Sequence, residues 1–403
     1  MSTAPPRPAL LLLAYLAFVS LGLPDGLIGV GWPSIRAEFG VPTEAVGLVL
    51  TAGTVGYLTS SVSAGFTLAR LGVGRLLAGS TLLAGLALTG YTVTPVLALM
   101  VGCALVLGLG SGAIDSGLNA YAAGAFGPRH MNWMHAFFGL GVALGPLIMT
   151  GALSAGLSWR WGYGLVAAAQ IALATAFALT VRAWRDRAPA REPAGSAPGA
   201  AAVAPPTRTP VRETLRLPAV WLGALAFTVY VAIEVAAGLW AFLLLTEGRG
   251  LGATLAGICV SGYWGSLFVG RVVQGVVAER LGAAVVLRGS LVGMAVGAVL
   301  IALPAPGWVA VAGLFVLGFA AAPVFPLLTL TTAGRVGAAH ADRAIGLQIG
   351  TAGLGAALVP AGIGVLIADT SVELLGPALV VLAAGLIALH VAGTRRPAPD
   401  LPR

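Results

Sequence analysis

Long apolar runs constrain this chain more than any other feature of its sequence. Of its 403 residues, 58% are hydrophobic and only 9% are charged, and the mean hydropathy is +0.96. A soluble domain of this length needs more charge to cover its surface. The runs reach the ~20 residues that a helix needs to cross a bilayer, whereas a barrel would show short alternating segments. The sequence therefore predicts an all-α, polytopic membrane protein.

Twelve transmembrane helices are predicted along the chain. They lie at approximately 9–32, 43–68, 75–94, 96–124, 132–157, 162–184, 218–245, 251–278, 283–303, 307–333, 342–368 and 371–393. The segment between the sixth and seventh is rich in Pro, Ala and Arg and has no apolar periodicity, which is typical of a linker. We therefore expect an N-terminal six-helix bundle at 1–184, a linker at 185–216 and a C-terminal six-helix bundle at 217–403.

The arginines predict the orientation of these helices. All 22 basic residues are arginine, and the net charge is +8. If the N-terminus is inside, only Arg36, Arg160 and Arg249 fall on the outer side of the membrane. Because arginine-rich segments stay on the cytoplasmic side, we expect a multi-pass protein of the inner (plasma) membrane with both termini and the linker in the cytoplasm.

The two halves of the chain repeat each other. Two stretches match at an offset of 210 residues and a third is one residue out of step: 65–72 with 275–282, 105–130 with 315–340, and 18–25 with 227–234. Parallel six-helix pseudo-repeats are typical of transporters in which substrate binds at the midplane and the halves rock around it.

Five strongly ionisable side chains lie inside the predicted helices: Asp25, Asp115, His135, Glu234 and Arg271. A charge in hydrocarbon costs roughly 3 kcal/mol on insertion scales, so such groups face a partner or a cavity. Asp115 has Asn119 four residues later on the same helical face, in a helix rich in glycine that neighbours can approach closely.

Three of these residues are candidates for proton coupling. Asp25 and Glu234 fall in the outer half of their helices and Asp115 in the inner half, so carboxylates are available at two depths. Burial disfavours the charged form of a carboxyl, which favours proton uptake. The structural alternatives are a local cap beside Pro24 for Asp25 and pairing with a neighbouring helix for Glu234.

Polar and aromatic side chains in the helices are candidates for substrate binding. We select Asp115, Asn119, His135, Tyr230, Trp240 and Gln348. Tyr230 lies one turn before Glu234 and shares its face. A structural role is an equal alternative for His135, as is interhelical hydrogen bonding for Gln348. Other aromatic candidates include Tyr57 and Tyr263. For Trp32 and Trp133 we expect a position at the membrane interface instead.

The loop after the second helix, Gly65-xxx-Ala69-Arg70-x-Gly72-x-Gly74-Arg75, resembles the signature loop of the major facilitator superfamily. That family usually has an acidic residue at the position of Ala69, and the second copy of the loop keeps one, Glu279. The resemblance implies a conformational role for Arg70, Arg75, Glu279 and Arg280. Arg271 belongs to a Gly270-Arg271-xxx-Gly275 pattern common in that superfamily, and we expect it to be structural, reaching helix carbonyls or the cytoplasmic surface.

A narrower resemblance is to the fucose/glucose/galactose:proton symporter family. It rests on Leu23-Pro24-Asp25, on Gly110-xxxx-Asp115-xxx-Asn119, and on Asn132-Trp-Met-His135-Ala-Phe-Phe138. His135 and Phe138 stand where a fucose-transporting member has Gln and Asn. The resemblance implies proton-coupled symport of a small polar solute such as a sugar.

An alternative function is proton-driven export of amphipathic compounds, because Gly141-Val-Ala-Leu-Gly145-Pro146 resembles a pattern associated with antiporters. A sensor or scaffold on the same fold is a third hypothesis. The chain has no lysine and no phosphate-binding loop, and no Cys/His cluster has metal-site spacing. We therefore expect no enzymatic activity, no cofactor, no metal and no nucleic-acid partner, and a monomer whose partners are lipid, substrate and protons.

The orientation predicts that a tag inserted within residues 194–204 is accessible only from the cytoplasm. The measurement is antibody labelling of intact and of permeabilised cells. Labelling of intact cells would overturn the orientation.

Overall fold

The computed structural model describes residues 8–184 and 211–394. Within these ranges the chain is built from helices without a strand, and twelve helical segments are long and apolar enough to cross a membrane. The prediction of an all-α fold with twelve membrane-length helices is therefore confirmed.

Residues 185–210 of the predicted linker lie outside the described residues. The helices before and after them form two sets, which we call the first and second set. The first set comprises α1 (Pro8–Phe39), α2 (Val46–Leu71), α3 (Val73–Val93), α4 (Leu97–Ala125), α5 (Gly127–Ser154) and α6 (Trp159–Thr180). The second set comprises a short α7 (Val211–Arg216), α8 (Pro218–Leu243), α9 (Ala253–Leu281), α10 (Ala283–Ala302), α11 (Gly307–Ala321), α12 (Val324–Val336), α13 (Ala338–Asp369) and α14 (Leu375–Thr394).

Two of these helices differ from the prediction. α1 continues for two more turns than expected and ends at Phe39, which brings Arg36 and Glu38 onto the helix. The tenth predicted span is two helices, because α11 ends at Ala321 and α12 begins at Val324. Pro323 stands in the break, and a proline has no amide proton to donate to the preceding turn.

The two sets pack their helices in the same way. In the first set α1 packs on α5, α2 on α4 and α3 on α6, and in the second set α8 packs on α13, α9 on α11 and α10 on α14. Gly72 and Gly282, which are 210 residues apart, end α2 and α9 with φ of 74° and 84°. Glycine adopts this left-handed conformation without strain. The packing and the two glycines agree with the predicted repeat.

Glycines allow the helix backbones of the first set to touch. A Cβ atom on Gly108 of α4 would lie 2.0 Å from the carbonyl oxygen of Gly53 in α2, and one on Gly56 would lie 2.1 Å from that of Leu105. Real Cβ atoms do not approach an oxygen so closely. The α2–α4 contact therefore requires glycine at both positions.

Ion pairs stabilise the end of the bundle opposite to the one at which α1 begins and α14 ends. We call it the remote end. Arg160 at the start of α6 binds Glu38 with a nitrogen–oxygen distance of 2.6 Å and also donates to carbonyl oxygens within 91–94. In the second set Arg249 binds Glu373 at 2.8 Å and donates to two carbonyl oxygens at the α10–α11 connection. Each arginine thus fastens the connection between the third and fourth spans of its set.

The two sets meet through α1 with α8, α2 with α13, and α5 with α9. At the same remote end Arg36 pairs with Glu247 across the interface, at 3.5 Å. Trp32 is 2% exposed, and its indole nitrogen donates to the carbonyl oxygen of Thr43 at 2.8 Å. The expectation that Trp32 lies at the membrane interface is therefore wrong, because the long α1 carries it into the packed end of the bundle. Trp133 is exposed.

The α2–α4 contact predicts that Gly108→Ala lowers stability by about 1–3 kcal/mol, because overpacking forces the helices apart. The matched control is Gly102→Ala on the same helix, where a Cβ would meet nothing within 4 Å. The measurement is the thermal unfolding temperature of the purified proteins in detergent. Equal temperatures for the two variants would contradict the close approach of these helices.

Candidate functional site

A hydrogen-bonded carboxylate lies on the inner face of the first set. Asp115 of α4 accepts a hydrogen bond from the amide of Asn119 at 2.9 Å and another from the hydroxyl of Tyr57 at 2.7 Å. Tyr57 belongs to α2, and it reaches Asp115 because α2 and α4 touch. A Cβ on Gly112 would lie 2.4 Å from the carbonyl oxygen of Tyr57. Both oxygens of the carboxylate are therefore held by uncharged donors.

A second carboxylate lies on the second set. The hydroxyl of Tyr230 donates to the Glu234 carboxylate one helical turn away, and Tyr263 of α9 donates to the backbone carbonyl of Glu234 at 2.8 Å. Arg271 of α9 lies beside the same carboxylate, with a nitrogen–oxygen distance of 3.9 Å. Glu234 is thus contacted by two tyrosines and one cation.

The position of Arg271 differs from the expectation that it reaches helix carbonyls or the membrane surface. Its guanidinium lies beside Glu234, and one of its nitrogens is 3.5 Å from the place that a Cβ on Gly139 of α5 would occupy. This contact places the guanidinium at the interface between the sets, because α5 belongs to the first set and α9 to the second.

His135 of α5 interacts with one charged residue of each set. Both Asp115 and Arg271 interact electrostatically with its imidazole, and its ring packs edge-on against Phe18 with centroids 5.2 Å apart. We call Asp115, His135, Glu234 and Arg271 the central cluster. Its four ionisable groups extend from α4 of the first set through α5 to α8 and α9 of the second set.

Asp25 lies beside this cluster in a different environment. The residue is exposed to solvent, whereas the residues that follow it on α1, from Gly26 to Trp32, are buried. It interacts electrostatically with Tyr57, whose hydroxyl binds Asp115, and with Tyr91 and Tyr163. Among the described residues, no hydrogen-bond donor or cation contacts its carboxyl.

Three of the predicted binding residues are buried between helices: Tyr230, Trp240 and Gln348. Trp240 is 1% exposed and donates to the carbonyl oxygen of Pro360 at 3.0 Å. Gln348 is 2% exposed, accepts from the hydroxyl of Thr332 at 3.0 Å, and its amide nitrogen lies against Gly223. The contacts of Gln348 join α8, α12 and α13 and favour the interhelical alternative.

The residues of the two signature loops lie at the end of the bundle near the described chain ends. Arg70, Arg75 and Arg280 are exposed, and within 8–184 and 211–394 they have no ion pair or hydrogen bond. The side chain of Glu279 lies outside the described residues. Among the residues that are described, no three His, Cys, Asp or Glu side chains come close enough together to hold a metal ion.

Comparison with known proteins identifies the family of this chain. Residues 14–360 match the sequence profile described as the Major Facilitator Superfamily. Similar solved structures include a mutant of the nucleoside transporter NupG, with a TM-score of 0.74, 14% identity, and coverage of 96% of this chain and 99% of that chain. The peptide transporter POT in complex with sulfate has a TM-score of 0.73, 14% identity, and coverage of 97% and 95%. A bacterial homolog of the human lysosomal transporter Spinster, inward-facing and occupied, has a TM-score of 0.70, 14% identity, and coverage of 98% of both chains. At this identity the likeness is one of fold.

The Tyr57–Asp115 contact predicts coupling between the two residues. Tyr57→Phe removes one donor from the carboxylate, and we expect it to lower the free energy of unfolding by about 1–2 kcal/mol in the native background. In the Asp115→Ala background the same change should cost little, because the acceptor is gone. The measurement is a double-mutant cycle of unfolding in detergent. Additive effects would show that the hydrogen bond contributes nothing to stability.

Proposed function

Because the chain belongs to the Major Facilitator Superfamily, we propose that it is a secondary active transporter that couples proton movement to symport of a small polar solute, such as a sugar, by alternating access. The observation that carries this proposal is the central cluster. Its two carboxylates come from different sets, Asp115 from α4 and Glu234 from α8, and His135 lies on α5, which packs on α9 of the second set. A solute bound there touches both sets, so that its binding influences how they move.

The polar side chains on the first set suit a hydroxylated solute. Asp115 offers acceptor oxygens and the Asn119 amide offers both a donor and an acceptor, which is the combination that sugar hydroxyls require. His135 also belongs to the first set and is exposed to solvent. On the opposite side Glu234 completes the lining in this proposal, and the buried Tyr230 holds its carboxylate.

The three acids differ in what a proton would disturb. Protonation of Asp25 breaks no contact among the described residues. Protonation of Asp115 changes the acceptor of the bonds from Tyr57 and Asn119. A change in the protonation of Asp115 is therefore transmitted to α2 and α4. Asp25, which is exposed to solvent, is suited to exchange protons with water. We assign proton exchange to Asp25 and coupling to Asp115, with Glu234 as the acid of the second set.

The export alternative has less support from the residues that suggested it. A Cβ on Gly141 would lie 2.0 Å from the carbonyl oxygen of Val19, and one on Gly145 would lie 2.7 Å from the backbone of Gly26. The close packing of α5 on α1 thus accounts for both glycines without reference to the direction of transport.

The proposed setting is the inner membrane, with the termini in the cytoplasm and the protein acting as a monomer. The arginine distribution supports this orientation. The three arginines of the other side, Arg36, Arg160 and Arg249, each pair with a glutamate there.

The assignment predicts different results for Asp115→Asn and Asp25→Asn. Asp115→Asn keeps the shape of the side chain and removes its charge, so we expect it to bind and exchange substrate but to lose accumulation driven by a pH gradient. Asp25→Asn should lose proton uptake on substrate addition while binding is kept. The control is Asp369→Asn, at the exposed end of α13. This variant should couple proton uptake to substrate transport as the wild type does.

The measurement uses proteoliposomes, with a sugar first identified by its effect on the unfolding temperature. Substrate affinity, uphill transport and proton uptake are recorded for each variant. Loss of binding in Asp115→Asn would assign Asp115 to substrate positioning. Unchanged uphill transport in both variants would overturn the carboxylate relay and leave Glu234 as the remaining acid.

A further inference from the structure

A basic cluster lies away from the central cluster, in the second set. Arg335 stands in the last turn of α12, and one of its nitrogens is 3.9 Å from the place that a Cβ on Gly393 of α14 would occupy. His390 lies one turn before Gly393, and Arg288 lies on α10. Both arginines interact electrostatically with His390. Because α10 packs against both α12 and α14, the three nitrogen-bearing side chains lie on adjacent helices near one end of the bundle.

No anion among the described residues balances these side chains. Arg335 is partly buried and has neither a hydrogen bond nor an ion pair there, and Arg288 has only a bond to the Ala284 carbonyl of its own helix. The Nδ1 atom of His390 is buried without a hydrogen-bond partner. Leaving a buried polar group unpaired is costly, and a partly buried guanidinium in a membrane helix more so. An anion from outside the described part of the chain would satisfy all three side chains.

The depth of the basic cluster identifies the kind of anion. Arg335 is one residue from the end of α12, His390 is four residues from the end of α14, and Arg288 is five residues from the start of α10. These helix ends lie on the side of the bundle at which α1 begins and α14 ends. In a spanning protein the ends of the helices lie at the level of the lipid headgroups.

Apolar side chains continue from this cluster toward the middle of the membrane. Val292 and Val296 follow Arg288 on the same stripe of α10 and are 59% and 49% exposed. An acyl chain can lie along this stripe while its headgroup is at Arg288. A free phosphate ion would gain nothing from these valines.

We propose that Arg288, Arg335 and His390 bind the phosphate of an anionic phospholipid in the leaflet at this end of the bundle. The guanidinium groups match phosphate oxygens with two parallel hydrogen bonds each, and the protonated nitrogen of the His390 ring donates a further one. The lipid joins α10, α12 and α14 at the side of the second set that faces the bilayer. This site is independent of the substrate site in the central cluster.

The test compares three probes on the purified full-length protein in detergent: phosphatidylglycerol, phosphatidylcholine and inorganic phosphate. Lipid adducts are counted by native mass spectrometry, and the unfolding temperature is recorded with each probe. We expect phosphatidylglycerol to bind the wild type and raise its unfolding temperature. Arg335→Gln and Arg288→Gln should each weaken this binding by about tenfold.

The matched control is Arg216→Gln, an exposed arginine at the same end of the second set, which should bind phosphatidylglycerol like the wild type. If Arg335→Gln does not fold, the exposed Arg288→Gln carries the comparison. Equal binding by all variants would mean that lipid is attracted only by overall charge and would overturn the proposal. Stabilisation by inorganic phosphate alone would indicate a site for a soluble anion and would overturn the assignment to lipid.

Discussion

A polar group inside a bilayer has to find its partners within the protein, and the structure of this chain follows from that requirement. It selects helices, which satisfy their own backbone, and it places the ionisable side chains of the spans toward one another. Asp115 is held by Tyr57 and Asn119, and Glu234 lies between Tyr230 and Arg271. The ionisable groups gather at the interface of the two sets because lipid offers them no alternative.

These partners are within reach only because the helices touch through glycine. Gly56 and Gly108 let α2 and α4 meet backbone to backbone, and Gly112 leaves room for the backbone of Tyr57. A side chain at any of these positions would clash with the facing backbone and force α2 and α4 apart. The 2.7 Å hydrogen bond from Tyr57 to Asp115 would then be broken. The same glycines therefore determine both the packing of the first set and the environment of its carboxylate.

The sequence predicted what depends on local pattern. Apolar length predicted the twelve helices, the offset of 210 residues predicted the matching packing of the two sets, and the spacing of four predicted that Asn119 shares a face with Asp115. It did not single out Tyr57 as the second donor or place Arg271 beside Glu234. Those contacts depend on how each helix is rotated about its axis, and the hydropathy of a sequence does not determine that rotation.

The ion pairs at the remote end differ between the two sets, and they bear on the proposed movement of one set relative to the other. In the first set the acid, Glu38, lies in the last turn of the first span, and the arginine, Arg160, begins the sixth. In the second set Arg249 follows the first span and Glu373 precedes the last. The same connection is fastened with the charges exchanged, so sequence matching could not find it. Within each set the arginine also binds carbonyl oxygens, whereas the pair between the sets, Arg36 with Glu247, is longer and exposed. An exposed pair of this kind contributes little. Each set is therefore rigid at this end, and little electrostatic attraction opposes their separation.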